Sequence, residues 1–261
     1  MIDVHLHILP NIDDGPQSMQ ESLELAHALV QEGVRFAVAT PHYNDEYKQC
    51  SAAEIRERVA VVQGELNRYG IPLRLFAGHE VLIKPGLMDD IRAGRVATLN
   101  GSNYLLLELW NNNWIPETEQ VIFELCSNGI VPIIAHPERY HAIQKDPSRL
   151  AALQQQGVLA QVTTSSLLGI YGNTVRRSAE TLLKKNLIHF VATDAHGLRK
   201  RRPYITDGLQ SMQQLIGQER VHLMTETWPL AILKNEVCHV SSCVAENNNG
   251  QKKRLVGRRI F

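Results

Sequence analysis

One short stretch, Met1-Ile2-Asp3-Val4-His5-Leu6-His7, constrains this chain more than any other. Ile2, Val4, Leu6 and Ile8 alternate with Asp3, His5 and His7, which is the period-two pattern of a strand. Residues two apart on a strand project to the same face. His5 and His7 therefore bring two imidazoles to one point, as a bound metal ion requires. Taken alone, an H-x-H pair fits the wet face of an edge strand equally well.

Repetition decides between the two. Apolar runs ending in a histidine or a carboxylate recur at Phe36–His42, Leu73–Glu80, Tyr104–Glu108, Ile130–Arg139 and Ile188–His196. Segments of helical pattern separate them. Ser18-Met19-Gln20-Glu21 has capping-box spacing and opens a helix to Glu32, stopped by Gly33; a second runs from Ser51 to Arg68, closed by Gly70. Further helices are expected near Pro85–Ala93, Pro116–Ser127, Pro147–Gln156, Thr174–Lys185, Thr206–Ile216 and Thr227–Asn235. A strand is expected at Val158–Val162, a loop over Thr163–Gly172 and a short strand at Val221–Met224. Such alternation implies βα crossovers and a mainly parallel sheet, with functional groups at the carboxyl ends of the strands. The expected fold is α/β, a closed or nearly closed (β/α) barrel of about seven strands. Residues 1–236 form that unit, and from Val237 to Phe261 the composition turns polar and basic, as in a terminal tail.

Charge and cysteine usage exclude several classes. Lys plus Arg and Asp plus Glu are 27 each, so binding to nucleic acid through bulk charge is not expected. Cys50, Cys126, Cys238 and Cys243 are scattered without a C-x-x-C pair and read as reduced thiols. With no secretory leader pattern and no apolar run of membrane-spanning length, a cytoplasmic protein without membrane insertion is expected.

The candidate ligands are His5, His7, Asp14, His42, Glu80, Glu108, His136, Asp194 and His196. Nitrogen and oxygen donors without sulfur suit two or three divalent first-row ions, Mn²⁺, Fe²⁺ or Zn²⁺. A carboxylate such as Glu80 can bridge two ions, and paired ions activate water and hold the leaving oxygen of a phosphate ester. Arg139 lies three residues beyond His136 and can bind phosphoryl oxygens through two N–H groups. Arg201 and Arg202, just past Asp194-Ala195-His196, can both reach the same group from another side. His27, His79, His141, His189, His222 and His239 read as structural or surface groups. Tyr43, Tyr47, Trp110 and Trp114 fall in loops expected to rim the mouth.

These residues resemble the polymerase-and-histidinol-phosphatase (PHP) superfamily through Asp3-Val4-His5-Leu6-His7, Asp13-Asp14-Gly15, Thr40-Pro41-His42, Gly78-His79-Glu80, Ala135–Arg139 and Thr193–His196. More narrowly they resemble its bacterial CpsB/CapC-type tyrosine-protein phosphatases, from Met1 to about Asn235. The resemblance implies a distorted (β/α)7 barrel and a trinuclear, manganese-favouring site. It implies one ion on His5, His7, Glu80 and Asp194, a second on Glu80, Glu108 and His136, and a third on Asp14, His42 and His196. It further implies Arg139 and Arg201 as phosphate binders and direct attack on phosphorus by metal-bound hydroxide. The substrate it implies is the phosphotyrosine tail of a partner kinase governing capsular or exopolysaccharide synthesis. A homo-oligomer, joined through the helix Ser18–Glu32, would suit such a tail. The one Cys-x5-Arg spacing, Cys50 to Arg56, runs into the expected helix Ser51–Arg68 and contains no glycine for a phosphate-cradling loop, so the cysteine-nucleophile route is not expected. The alternative is a small-molecule phosphomonoesterase of histidinol-phosphatase type. A non-catalytic kinase-binding protein is disfavoured, because degeneration would normally lose some of the nine ligands.

Overall fold

In the computed structural model, residues 1–47, 49–110, 114–199 and 201–240 are described. Chain order begins β1 (Ile2–Leu6), α1 (Met19–Gln31), β2 (Phe36–Ala39), β3 (His42–Tyr43), α2 (Ala52–Arg68), β4 (Arg74–Ala77), β5 (Glu80–Leu82) and α3 (Leu87–Arg92). It continues with β6 (Tyr104–Glu108), α4 (Thr118–Ser127), β7 (Val131–Ala135), α5 (His141–Lys145), α6 (Ser148–Gln154) and β8 (Leu159–Thr163). Then come α7 (Thr164–Leu167), α8 (Asn173–Lys184), β9 (Phe190–Ala192), α9 (Ile205–Ile216), α10 (Gln218–His222) and α11 (Trp228–Leu233). All pairings are parallel, in a three-stranded sheet β1-β2-β4 and a six-stranded sheet β3-β5-β6-β7-β8-β9. The fold is α/β with parallel sheets, as expected.

Helix boundaries follow local chemistry. Ser18 Oγ accepts from the Glu21 N–H at 3.2 Å, and the Glu21 carboxylate accepts from Gln17 N–H at 2.7 Å. At α2 the box is complete: Ser51 N–H donates to Glu54 at 2.7 Å and Glu54 N–H to Ser51 Oγ at 3.3 Å. Each cap stabilises its helix by about 1 kcal/mol. Gly33 stops α1 in the left-handed region, φ 90°.

Two expected strands are interrupted. β2 and β3 are parted by Thr40-Pro41, and β4 and β5 by Gly78-His79. Proline lacks the N–H a ladder needs. At Gly78 a Cβ would meet Leu99 Cδ2 at 2.9 Å and Val38 Cγ1 at 3.0 Å, so any side chain there would have to displace both buried neighbours. The expected strand at Val221–Met224 is instead helical: α10 runs into a wide turn over Leu223–Thr227, with Val221 and Met224 packed into the core. The expected loop over Thr163–Gly172 contains α7, packed on α9, where Gly208 lets the helices touch (a Cβ would lie 2.7 Å from Thr164 Cβ). Residues 237–240 are described, and Cys238 and Val240 rest against the core; the remainder of the expected tail lies outside the described residues.

Three apolar clusters carry the packing. One lies under α1 and α2, and a larger one lies between β5–β9 and their helices. The third collects Val4, Val38, Leu106, Ile133, Leu159 and Phe190 from six different strands. Alternation then positions the chemistry. On β6, Tyr104 and Leu106 join this third cluster while Leu105 and Leu107 join the larger one. Glu108 shares the parity of Leu106, and on β8 Gln161 and Thr163 share that of Leu159. One face is thus apolar at the amino end of the strands and polar at the carboxyl end. β1 also meets the segment after β9: Asp194 N–H donates to His5 O and His7 N–H to Ala195 O, both at 3.0 Å.

Candidate metal and phosphate site

All nine candidate ligands converge at the carboxyl ends of the strands. Glu80, fully buried, is the hub. Its Oε2 lies 3.2 Å from His5 Nε2, His7 Nε2 and His42 Nδ1, and its Oε1 lies 2.8 Å from His136 Nε2. Asp194 Oδ1 is 3.3 Å from His5 Nε2 and 3.6 Å from His7 Nε2. Asp14 Oδ1 approaches His196 Nε2 at 3.2 Å and His42 Nε2 at 3.5 Å, and Glu108 Oε2 lies 3.8 Å from His42 Nδ1. Three groups have ligand atoms all within 4.8 Å of one another: His7, Asp14, His42 and His196; His5, His7, Glu80 and Asp194; and His42, Glu80 and Glu108. Compared with the implied partition, His42 stands beside Glu80 and Glu108, and His136 touches the hub alone.

Supporting residues set the imidazole tautomers. His5 Nδ1 donates to Gln161 Oε1 at 3.0 Å, His7 Nδ1 to Asp13 Oδ2 at 2.7 Å, and His196 Nδ1 to the Asp194 carbonyl at 2.9 Å. In all three the Nε2 lone pair is left facing the cluster, the usual arrangement behind a metal-binding histidine. His5 Nε2 and His7 Nε2 face each other at 3.2 Å. His42 Nδ1, Glu80 Oε2 and His196 Nε2 are buried without a hydrogen bond. Opposed lone pairs and unsatisfied buried acceptors are what cations reconcile, so the residues fit divalent ions bound by nitrogen and oxygen.

Charge follows the geometry. Burial opposes protonation of His5, yet Glu80 and Asp194 push its pKa up to about 9. His42, also buried, is pushed up to about 10 by Glu80 and Asp14. Burial, then the charge of Glu80, pushes Glu108 up to about 8. Burial works against ionisation of Asp194, but Arg139, His5 and Arg201 hold it well below the usual carboxylate range. His196 is lowered to about 4 by burial and by His7.

Arg139 and Arg201 both reach this centre. Arg139 Nη1 donates to Asp194 Oδ2 at 2.6 Å, and Arg201 Nη2 to Asp194 Oδ1 at 3.1 Å. Arg201 Nη1 also donates to Asp14 Oδ2 at 3.2 Å. Arg202 instead lies over the Tyr204 ring. His136, Asp194 and Arg201 have φ of 35°, 51° and 46°, a region that side chains other than glycine rarely adopt. Such strain persists where surrounding contacts over-determine it and aims these side chains inward.

The histidines read as structural behave so. Ala97 N–H donates to His79 Nδ1 at 2.9 Å, and Ala160 N–H to His189 Nδ1 at 3.1 Å. His27, His141, His222 and His239 are exposed. Among the aromatics, Tyr47 lies parallel to His42, ring centroids 5.2 Å apart. Tyr43 corrects the expectation: it is buried in the core with its hydroxyl on Asp90, because β3 turns it away from the mouth. Trp110 Nε1 donates to Ile83 O at 3.2 Å and Trp114 Nε1 to Glu119 at 2.8 Å; Asn111–Asn113 between them lie outside the described residues.

The sequence pattern points to no role for Asp13, Gln161, Thr163 or Tyr171, whereas Glu138 is expected to pin the loop of Arg139. Gln161 carried a signal, being a polar residue between Ala160 and Val162 on a buried strand. Glu138 is buried and accepts from Thr163 N–H at 3.2 Å and Ser166 Oγ at 2.6 Å, which anchors the turn bearing Arg139. Tyr171 carried none.

A family model described as capsular polysaccharide synthesis, CpsB/CapC, matches residues 1–234. The tyrosine-protein phosphatase YwqE of Bacillus subtilis is 35% identical over 236 residues, covering 90% of this chain and 92% of that protein. The tyrosine-protein phosphatase CpsB of Streptococcus agalactiae is 28% identical over 240 residues, 90% and 99% of the two chains. A solved structure from work on YwqE of B. subtilis and CpsB of Streptococcus pneumoniae, described as unique metal-dependent tyrosine phosphatases, superposes with a TM-score of 0.87 at 34% identity. It covers 91% of this chain and 96% of that one.

Proposed function

We propose, from the premise that this chain belongs to the CpsB/CapC family, that it is a metal-dependent protein-tyrosine phosphatase serving capsular or exopolysaccharide synthesis. The observation that carries the reading is the set of imidazoles around Glu80, their Nε2 lone pairs turned inward by Gln161, Asp13 and the Asp194 carbonyl. Its substrate is the phosphotyrosine tail of a cognate bacterial kinase, met in the cytoplasm.

Three Mn²⁺ ions are the proposed cofactor, held by His5, His7, Asp14, His42, Glu80, Glu108, His136, Asp194 and His196, with Fe or Zn as substitutes. Bound there, the ions supply positive charge for the phosphoryl oxygens and acidify a water molecule to act as nucleophile. The chain's own residues do the positioning. Arg139 and Arg201 present guanidinium edges whose Nε–H groups are buried and partnerless, the donors a phosphoryl group needs. Asp14, with a side chain 42% exposed, marks the open side by which a peptide enters, and Tyr47 lies beside it over His42. The departing phenoxide has a conjugate-acid pKa near 10, low for an alcohol, so the reaction asks little proton transfer from the protein.

The same reading takes the two sheets as one distorted (β/α)7 barrel. Supporting it are the interrupted strand pairs β2–β3 and β4–β5, the contact of β1 with Ala195 and the six-strand apolar cluster inside. Residues 1–236 are taken as the phosphatase unit and 237–261 as a tail. No described helix is long and apolar enough to cross a membrane. Self-association through the outer face of α1 remains part of the proposal, and light scattering tests it.

The deciding experiment is hydrolysis of a phosphotyrosyl peptide by Mn²⁺-loaded protein, with histidinol phosphate in parallel. The peptide is expected to be turned over, chelation to abolish the reaction and thiol alkylation to leave it intact. Turnover that survives verified metal removal, or a marked preference for histidinol phosphate, would overturn the reading.

A further inference from the structure

Arg139 is held by three contacts that differ in what they consume. Nη1 donates to Asp194 at 2.6 Å and Nη2 to Thr163 Oγ1 at 3.0 Å, while the guanidinium carbon lies 4.0 Å above the centre of the Tyr171 ring. The first two contacts occupy N–H donors. A ring face occupies none, because it attracts the cation through its π-electrons. Once Nη1 turns from Asp194 to a phosphoryl oxygen, the Thr163 bond alone leaves the guanidinium plane free to rock. The ring removes that freedom without taking up an N–H donor, and Nε–H has no protein partner.

Tyr171 is aimed there by its backbone. Gly169 (φ 74°) and Gly172 (φ 92°) flank it, both in the left-handed region that glycine enters without strain. The tight turn lifts the ring from the short segment between α7 and α8 against Arg139. Resting on the phosphatase reading above, we propose that Tyr171 is a positioning residue whose ring fixes the plane of Arg139 for phosphoryl binding.

The test uses full-length Mn²⁺-loaded protein, with inorganic phosphate binding followed by calorimetry and kcat and KM measured on a phosphotyrosyl peptide. Tyr171→Leu is expected to weaken phosphate binding about tenfold and to raise KM similarly, with kcat within about twofold. Tyr171→Phe keeps the ring and is expected to bind phosphate within about threefold of wild type. In an Arg139→Ala background Tyr171→Leu should add nothing, since it acts through Arg139. Should Tyr171→Leu fail to fold, Tyr171→Met reads the same quantity. The proposal is overturned if Tyr171→Leu binds phosphate as wild type does, if Tyr171→Phe is as weak as Tyr171→Leu, or if the double variant is weaker than Arg139→Ala alone. The phosphate arm decides independently of turnover: wild type inert on the peptide refutes the phosphatase reading, and the calorimetry still judges Tyr171.

Discussion

Replacing Asp13 by asparagine separates support of a ligand from ligation itself. Asp13 Oδ2 accepts from His7 Nδ1 at 2.7 Å and from His42 N–H at 3.2 Å, and Oδ1 accepts from Gly15 N–H at 3.0 Å. Donors thus stand on both oxygens. An amide offers one acceptor and one NH2, so at least one donor must face another donor. Burial raises the Asp13 pKa, but His7 and the backbone of Gly15 outweigh it and hold the value at about 2, against 3.8 for an ordinary aspartate. That difference is worth about 2 kcal/mol of stability, present above pH 3.8 and lost as pH falls through 2. Asp13→Asn should therefore unfold with a stability lower by about 2 kcal/mol at pH 7. His7 Nδ1 also exchanges a charged acceptor for a neutral oxygen or, with the amide turned, for an NH2, so the tautomer is held less firmly and Mn²⁺ affinity should fall by roughly 10- to 100-fold. Urea unfolding measures the first effect and calorimetric Mn²⁺ titration the second. A variant that binds Mn²⁺ within twofold of wild type would show that Asp13 does not hold His7 in its ligating tautomer.

Two further outcomes are expected. Arg139→Ala and Arg201→Ala should each lower kcat/KM on a phosphotyrosyl peptide by roughly 10²- to 10³-fold, the scale for removing an oriented donor, while Arg202→Ala should change it little; equal losses at Arg201 and Arg202 would contradict the orientation described. His189, lowered to about 4 by burial and by Arg220, refuses a proton that the unfolded chain accepts near 6.5. Its contribution is therefore intact above pH 6.5 and declines as pH falls toward 4, by about 2 kcal/mol at pH 5. Urea unfolding at pH 7.5 and pH 5 should show a smaller loss for His189→Gln than for wild type, and identical losses would refute the assignment.

What the sequence disclosed was whatever repeats with a period. Strand ends could be read because apolar runs stop at a histidine or carboxylate, and the helices because Ser18 and Ser51 cap them in a standard way. The breaks in the second and third strands were not legible. Pro41 hinted at one, but Gly78 matters through Leu99 and Val38, which are distant in the chain. Val221–Met224 misled because a buried helical turn and a short strand are equally apolar. Supporting residues escaped for a different reason. Asp13 was visible in its motif, yet its role depends on which nitrogen of His7 carries the proton, and that is a tertiary fact. Tyr171 acts through a ring face on a residue 32 positions earlier, and no local pattern encodes such a contact.

The carboxylate of Asp3 accepts from Thr193, 190 residues away, and so ties the beginning of the fold to its last strand. β1 has one neighbour, β2, close by in the chain, while its contacts on the other side lie about 190 residues further on. Closing the pit around His5 and His7 therefore depends on a contact of very high sequence separation. Completion of the pit should accordingly come late in folding and cooperatively, and a fragment that lacks β9 should not form it.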